Sequence, residues 1–298
     1  MSITNYPGGF SGGVTVRGMP LLSQYSGEVF WVDDSGSDGN SGTFTRPFAT
    51  IQKGIDSCTA GRGDIVCVKS GHAETVTAQI DADTAGVAVV GLGPVKPVIT
   101  VNGAVDGIDV SAAGFSIVNI EFAIPGTDAQ TSDINVDAAY CSIVNCTSHG
   151  STTSKNKVSF ITVTANGDDL EIIGFRGYNA LVDMVSGIEL AAATRVNIID
   201  CHLHSSGSVG YSTGVIDDTG VCTELLIKDC TFKNVKAATA VLTFASNSVG
   251  MVSNCHCSGR HTTIASNIIP GTGMDFFQNY VTEEAALNGI IIPVADAD

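Results

Sequence analysis

The chain has 298 residues, 44% of them apolar, and a formal net charge of −16 with only 14 Lys plus Arg residues. An acidic chain of this kind is not expected to bind nucleic acid or an anionic membrane, because both partners require a basic surface. No run approaches the ~18 consecutive apolar residues that indicate a transmembrane helix. The first ten residues lack the basic and apolar regions of a secretory signal, so nothing marks the chain for export by that route.

Residues 1–27 are predicted to be an extended N-terminal arm. They contain two Gly-Gly pairs and do not share the periodicity of the rest of the chain. Their apolar residues are too few for a core, and a segment of this kind gains order when it binds another surface. The arm is therefore predicted to bind a partner, with a disordered tail as the alternative. The predicted partner-binding residues are Ile3, Tyr6, Phe10, Val14, Val16, Met19, Leu21 and Leu22.

Residues 28–63 are predicted to close the first end of the fold. A strand at 29–32 leads into a loop rich in Asp, Ser and Gly, where Thr45 stands in place of the closing Glu of a calcium-binding EF-hand. Pro47 suits a first helical position, and the apolar residues that follow have helical spacing. The sequence therefore predicts a turn-rich loop and one capping helix with an apolar face made of Phe48, Ile51, Ile55 and Cys58.

Residues from about 64 to 282 contain a repeat. An apolar pair, then Asn, Asp or Gly, then Cys or another apolar residue recurs with the third residue at 91, 119, 145, 174, 200, 229, 254 and 279. A period in the twenties indicates a solenoid whose units bury their apolar faces against their neighbours. Leucine-rich repeats have a similar period, but Leu is sparse here and Val, Ile and Thr dominate. The chain is therefore predicted to be an all-β, single-stranded, right-handed parallel β-helix.

Two columns of residues are predicted to stack along the axis of this solenoid. Asn and Asp tolerate the left-handed backbone conformation, so the third repeat position is read as a bend, with an amide ladder formed by Asn119, Asn145, Asn254 and Asn279. The next position is predicted to hold buried, reduced thiols, as expected for folding in a reducing cytoplasm. These thiols belong to Cys146, Cys201, Cys230 and Cys255. Residues 283–298, with one helical turn and a last strand, are predicted to form the second cap.

The order "VDDSGSDGNSGTFTRPFATIQKGID", then "GDIVCVKSGHAETV", resembles the N-terminal region of right-handed parallel β-helix proteins of the pectate-lyase-like class. The match covers residues 28–76. The whole layout is similar to β-helical proteins of tailed bacteriophage particles, with a short Gly-rich arm, a capping helix and coils rich in Asn-Cys bends. This resemblance implies the fold, whereas members of the class include polysaccharide lyases, glycosidases and structural particle proteins.

The sequence gives only weak evidence for catalytic residues. Stacked coils are about 4.8 Å apart, so Glu189 and Asp217 on neighbouring coils would approach the separation of a glycosidase carboxylate pair. His202 and His256 are two coils apart, as are His149 and His204, which is too far for either pair to share one metal ion. No metal or cofactor is expected.

The sequence favours a structural role over an enzymatic one. The leading hypothesis is a virion protein, a head decoration or fibre component made in the host cytoplasm, held by other virion proteins such as the major capsid protein and assembled as a homotrimer. The alternatives are a polysaccharide-degrading tail-spike-like enzyme and a non-catalytic carbohydrate-binding module that contacts a surface glycan. The single Trp, and Phe residues at core-like positions, argue against both sugar hypotheses.

Overall fold

The computed structural model describes residues 15–16, 19–20, 27–123, 125, 130–150, 157–180, 182–207, 209–261, 266–282 and 292–293. From residue 27 onward the chain winds as a right-handed parallel β-helix with three long sheets, which confirms the predicted fold class. Each coil contributes one strand to each sheet in turn, and the apolar core fills the interior. No helix in the described part of the chain is long and apolar enough to cross a membrane.

Each coil starts on sheet 1. Its ten strands are β3 (Val29–Val32), β4 (Ile65–Val68), β7 (Ala88–Gly91), β10 (Ser116–Val118), β13 (Ser142–Val144), β16 (Glu171–Ile173), β19 (Asn197–Ile199), β22 (Leu225–Lys228), β25 (Val249–Ser253) and β28 (Gly273–Phe277). Neighbouring strands are parallel and in register, so one side chain stacks on the equivalent side chain of the next coil.

Sheet 2 follows sheet 1 after a tight bend. It contains β5 (Ala73–Val76), β8 (Val98–Val101), β11 (Glu121–Phe122), β14 (Thr147–His149), β17 (Arg176–Asn179), β20 (His202–Ser205), β23 (Thr231–Ala237), β26 (His256–Arg260), β29 (Tyr280–Thr282) and β30 (Ile292–Pro293). The last of these pairs antiparallel with β29 and lies in the region predicted to be the second cap.

Sheet 3 completes each coil. Its strands are β6 (Ile80–Ala82), β9 (Ile108–Val110), β12 (Ile134–Val136), β15 (Ile161–Val163), β18 (Met184–Leu190), β21 (Tyr211–Asp218), β24 (Leu242–Thr243) and β27 (Ile268–Ile269). Two short strands precede the solenoid, β1 (Thr15–Val16) and β2 (Met19–Pro20), and pair antiparallel. The predicted partner-binding residues Val16 and Met19 are backbone partners in this pair, while Ile3, Tyr6, Phe10, Val14, Leu21 and Leu22 lie outside the described residues.

The capping helix α1 spans Ile51–Asp56 and is shorter than predicted. Thr50 is its N-cap, with a hydroxyl that accepts a hydrogen bond from Lys53 N at 3.2 Å. Pro47 therefore precedes the helix rather than starting it, and Phe48 forms a bridge with Val32 of β3. The helix lies so close to the first coil that a Cβ atom at Gly54 would be 2.6 Å from Val66 Cγ1.

The bends between sheets 1 and 2 have the left-handed backbone predicted for them, with φ between 52° and 58° at Asn119, Asn145, Asp200, Asp229 and Asn254. Asn145 Nδ2 donates to Asn119 Oδ1 at 3.1 Å, and Asn254 Nδ2 donates to Asp229 Oδ1 at 2.6 Å. The bend residue of the coil after Asn145 is Gly174, which has no side chain to hydrogen-bond to Asn145. The predicted ladder is therefore divided into two separate pairs.

Asn279 is not a member of this ladder, because the left-handed residue of the last coil is Gln278. The prediction placed the bend one residue too late. The side chain of Asn279 instead points inward at the end of the cysteine column, where Oδ1 accepts from Cys255 N at 2.9 Å and Nδ2 donates to Val252 O at 2.7 Å. A buried amide thus ends the column with both of its functional groups hydrogen-bonded.

The four cysteines that follow the bends are buried and free, with at most 1% of their surface exposed. Their thiols donate to backbone carbonyls of the preceding coil, as Cys146 Sγ does to Ile117 O at 3.6 Å. Burial raises the pKa of Cys146 to about 11. The Cys146 thiol is therefore protonated at neutral pH. The four buried cysteines of this column act as small core side chains.

Candidate functional site

The three sheets present chemically different outer faces, and sheet 1 is the most apolar. One outward column runs through six neighbouring strands in register. Its members are half-buried and comprise Cys67, Val90, Val118, Val144, Ile173 and Ile199. Towards the C-terminal end the face becomes more exposed, with Met251 40% and Phe277 60% accessible.

Charge is nearly absent from this face. Among the outward positions of the ten strands of sheet 1, only Glu171, Lys228 and Asp275 are charged. At about 4.8 Å per strand the face is roughly 43 Å long. We call this surface, the outer side of sheet 1 from Val29 to Phe277, the apolar face.

Sheet 3 presents carboxylates. Glu189 and Asp217 lie opposite each other on neighbouring strands, so their backbones are about one strand spacing, ~4.8 Å, apart. Burial, followed by the charge of Asp217, raises the pKa of Glu189, and burial raises the pKa of Asp217. Asp217 is only 6% exposed, which leaves little of its carboxylate accessible to a ligand.

Sheet 2 carries a cleft of about 240 Å³ on its outer side. It lies over β14, β17 and β20, where residues 147, 176 and 202 form one outward column and residues 149, 178 and 204 form the next. We call it the sheet-2 cleft, and its lining residues are Thr147, Ser148, His149, Arg176, Gly177, Tyr178, His202 and His204.

The side chains of the sheet-2 cleft are held by their neighbours to different degrees. His149 Nε2 lies 3.2 Å from Glu121 Oε1, and the Tyr178 hydroxyl is 2.8 Å from Ser206 Oγ. Buried within the cleft, the Nε2 atom of His204 has no hydrogen-bond partner in the described structure. Burial, followed by His202 and Lys233, lowers the pKa of His204, so its imidazole is neutral at pH 7.

The histidine pairs are two coils apart, as the sequence indicates, and Tyr178 lies between His149 and His204. Among the described residues no group of three or more His, Cys, Asp or Glu side chains is placed to hold a metal ion. Sequence reasoning treated Arg176 as isolated and did not single out Tyr178. Arg176 and Tyr178 are alternate residues of the strand that follows the bend at Gly174, and alternate residues of a strand point to the same side. This spacing could have identified both side chains as outward-facing neighbours.

A buried ionic cluster lies inside the solenoid beneath the sheet-2 cleft, and sequence reasoning missed it. Lys157 Nζ donates to Asp133 Oδ1 at 2.6 Å and to Ser148 Oγ at 3.1 Å, while Gln130 Nε2 donates to Asp133 Oδ1 at 3.0 Å. Both charged side chains are at most 1% exposed. Burial lowers the pKa of Lys157 and raises that of Asp133, and their mutual attraction opposes both shifts.

The fold is similar to that of two solved polysaccharide lyases. A rhamnogalacturonan lyase shares 15% sequence identity at a TM-score of 0.53, covering 89% of this chain and 79% of the lyase. A pectate lyase shares 12% identity at a TM-score of 0.53, covering 88% of this chain and 79% of the lyase. At these identities the likeness shows a pectate-lyase-like β-helix and no more. No family model and no curated protein matches the chain.

Proposed function

We propose that the chain is a structural protein of a tailed bacteriophage particle, a β-helical head decoration or fibre component that assembles as a homotrimer. The observation that carries this proposal is the apolar face, a surface roughly 43 Å long with only three charged residues among the outward positions of its strands, on a chain of net charge −16. Contiguous apolar surfaces that remain accessible on a folded protein commonly mark a protein interface. The bacteriophage setting comes from the resemblance described in the sequence analysis.

The apolar face suits other copies of the same chain. Sheet 3 is lined by carboxylates, so two copies that approached through that sheet would repel one another. Along the apolar face three charges occur among ten strands, and the stacked β-branched side chains offer a flat surface that packs well against another sheet. Contact through this face would bury the surface while keeping the acidic sides apart.

The arm supplies the attachment to the particle in this proposal. The C-terminal end of the arm leads into β3, which is the edge strand of sheet 1. The arm therefore joins the solenoid beside the apolar face. The eight apolar residues predicted to bind a partner would gain order on another surface. Other virion proteins provide that surface, the major capsid protein first among them.

A variant that starts at Gly27 tests the attachment. The coils bury their core without the arm, so the variant is expected to retain cooperative unfolding and β-rich circular dichroism. It is also expected to be absent from purified particles when these are imaged with an antibody label, whereas the full-length chain decorates them. Normal occupancy of the truncated chain would place the contact on the coils or the C-terminal cap.

Cleavage of a surface glycan is the second candidate function, favoured by the register of Glu189 and Asp217. Raised pKa values suit a carboxyl group that must donate a proton. The two side chains project from strands about 4.8 Å apart, and retaining glycosidases separate their two carboxyl groups by about 5 Å. The burial of Asp217 makes this the weaker candidate. If host polysaccharides are cleaved, Glu189→Gln should lower the rate by about 100-fold or more, while Asp81→Asn in the same column should not. No cleavage by the full-length chain would eliminate this function.

A further inference from the structure

The sheet-2 cleft concentrates hydrogen-bond donors and positive charge on an acidic protein. The Arg176 guanidinium is exposed and makes no ion pair or side-chain hydrogen bond within the described residues. It lies between Thr147 on one strand and His202 on the other, both in register with it. An unpaired guanidinium with neighbouring donors is the arrangement that binds an oxyanion through two parallel hydrogen bonds.

Thr147 lines the sheet-2 cleft and carries a hydroxyl group. Its Oγ1 accepts a hydrogen bond from Lys96 Nζ at 2.8 Å, so its own hydroxyl hydrogen is available for a ligand. Lys96 brings a second positive charge next to Arg176, and burial lowers the pKa of this lysine. The cations Arg176 and Lys96 together suit a doubly charged anion. Two carboxylates border this group: Glu121 is in register with Thr147, and Asp200 Oδ1 lies 3.5 Å from His202 Nε2.

Tyr178 adds a surface for a ring. Its side chain is 48% exposed, and the hydrogen bond between its hydroxyl and Ser206 fixes the ring orientation. The cleft volume of about 240 Å³ is smaller than the range typical of larger organic ligands, ~300–1,000 Å³, and matches a single small ring.

We propose that the sheet-2 cleft binds the phosphate monoester of a sugar, with the phosphate on Arg176, Thr147 and His202 and the sugar ring on Tyr178. At neutral pH a phosphate monoester carries between one and two negative charges and offers three acceptor oxygens. This binding is independent of the attachment through the arm and of the apolar face, because the cleft opens on a different sheet.

Isothermal titration of the full-length chain with glucose 6-phosphate, glucose and inorganic phosphate tests this site. Glucose 6-phosphate is expected to bind, glucose is not, and inorganic phosphate is expected to bind more weakly than the sugar phosphate. Arg176→Met should weaken binding of glucose 6-phosphate by at least about tenfold. Lys228→Met removes one positive charge from sheet 1 and is the matched control, which should bind like the unmodified chain.

Circular dichroism of both variants verifies that each is folded. Tyr178→Ala should weaken glucose 6-phosphate binding while leaving the affinity for inorganic phosphate unchanged. Equal binding by Arg176→Met and the unmodified chain, or no binding of glucose 6-phosphate, would overturn the site. Equal affinity for inorganic phosphate and the sugar phosphate would overturn the role of Tyr178.

Discussion

Replacing Lys157 by methionine is expected to lower the free energy of unfolding by about 3 to 5 kcal/mol, because the change leaves a buried carboxylate without its counter-charge. Methionine approximates the length of the lysine stem, so the loss of packing is small. Among the described residues, the side chains of Ser148 and Gln130 then remain as hydrogen-bond donors to the Asp133 carboxylate. Urea unfolding at neutral pH, followed by circular dichroism, measures the effect.

The double variant Lys157→Met with Asp133→Asn is the control. It removes the unpaired charge and keeps a side chain of the same shape, so it should be more stable than Lys157→Met alone. If the single variant lost less than about 1 kcal/mol, as an exposed ion pair would, the pair would not be buried as described.

The instability of Lys157→Met should also depend on pH. Burial raises the pKa of Asp133 in the folded chain, and losing Lys157 raises it further. A carboxyl group with a higher pKa in the folded state than in the unfolded state holds its proton more tightly when folded. Its protonation therefore favours folding below the unfolded value, about 4, and this contribution is lost as the pH rises through the folded pKa. Lys157→Met should be closest in stability to the unmodified chain in mild acid.

The bends between sheets 1 and 2 were predictable because their residue types repeat. Asn, Asp and Gly adopt the left-handed backbone conformation at a low energetic cost, so these residue types recur at the bend on successive coils. The apolar runs on either side of each bend identify the strands. The period between these bends was enough to predict a parallel β-helix. The prediction that Asn279 forms the bend was wrong because Gln278, an unusual residue type for this conformation, is the left-handed residue of the last coil.

A second column of left-handed bends, between sheets 3 and 1, escaped sequence reasoning. Its residues have φ between 54° and 71° and differ in type from coil to coil, and they include Gly86, Gly114, Tyr140, Asp169, Arg195 and Glu224. The exposed Tyr140 side chain and the ion pair between Arg195 and Asp169 show that these side chains project from the coil. Because these side chains project into solvent, many residue types are tolerated at this position. The bend therefore has no sequence signature.

The candidate site was less predictable than the fold. Strand alternation indicated which side chains point outward, but the distinct characters of the three outer faces depend on which strands share a sheet. The apolar face arises from the second member of each repeated apolar pair, such as Val144, which the sequence alone presents as another core residue. The cluster at Lys157 joins residues from two neighbouring coils, and its register was not fixed by the repeat.

If the chain assembles through the apolar face as proposed, Val144→Glu is expected to separate the copies. Val144 lies in the middle of the apolar face, between Val118 and Ile173 on the neighbouring strands. A carboxylate at this position on every copy would bring like charges together in the contact, at a cost of several kcal/mol. Association should weaken by about 100-fold or more, since each tenfold corresponds to ~1.4 kcal/mol.

Because Val144 points outward, the substitution leaves the core residues Ile143 and Cys146 unchanged. The variant should therefore unfold cooperatively and keep its β-rich circular dichroism. Thr100→Glu adds the same charge to an outward position on sheet 2 and is the matched control. It should associate like the unmodified chain.

Sedimentation equilibrium of the unmodified chain, Val144→Glu and Thr100→Glu measures this assembly directly. We expect the mass of a trimer for the unmodified chain and for Thr100→Glu, and the mass of a monomer for Val144→Glu at the same concentration. A monomeric unmodified chain at the high local concentrations of a particle, or a Val144→Glu variant that still forms trimers, would contradict assembly through the apolar face.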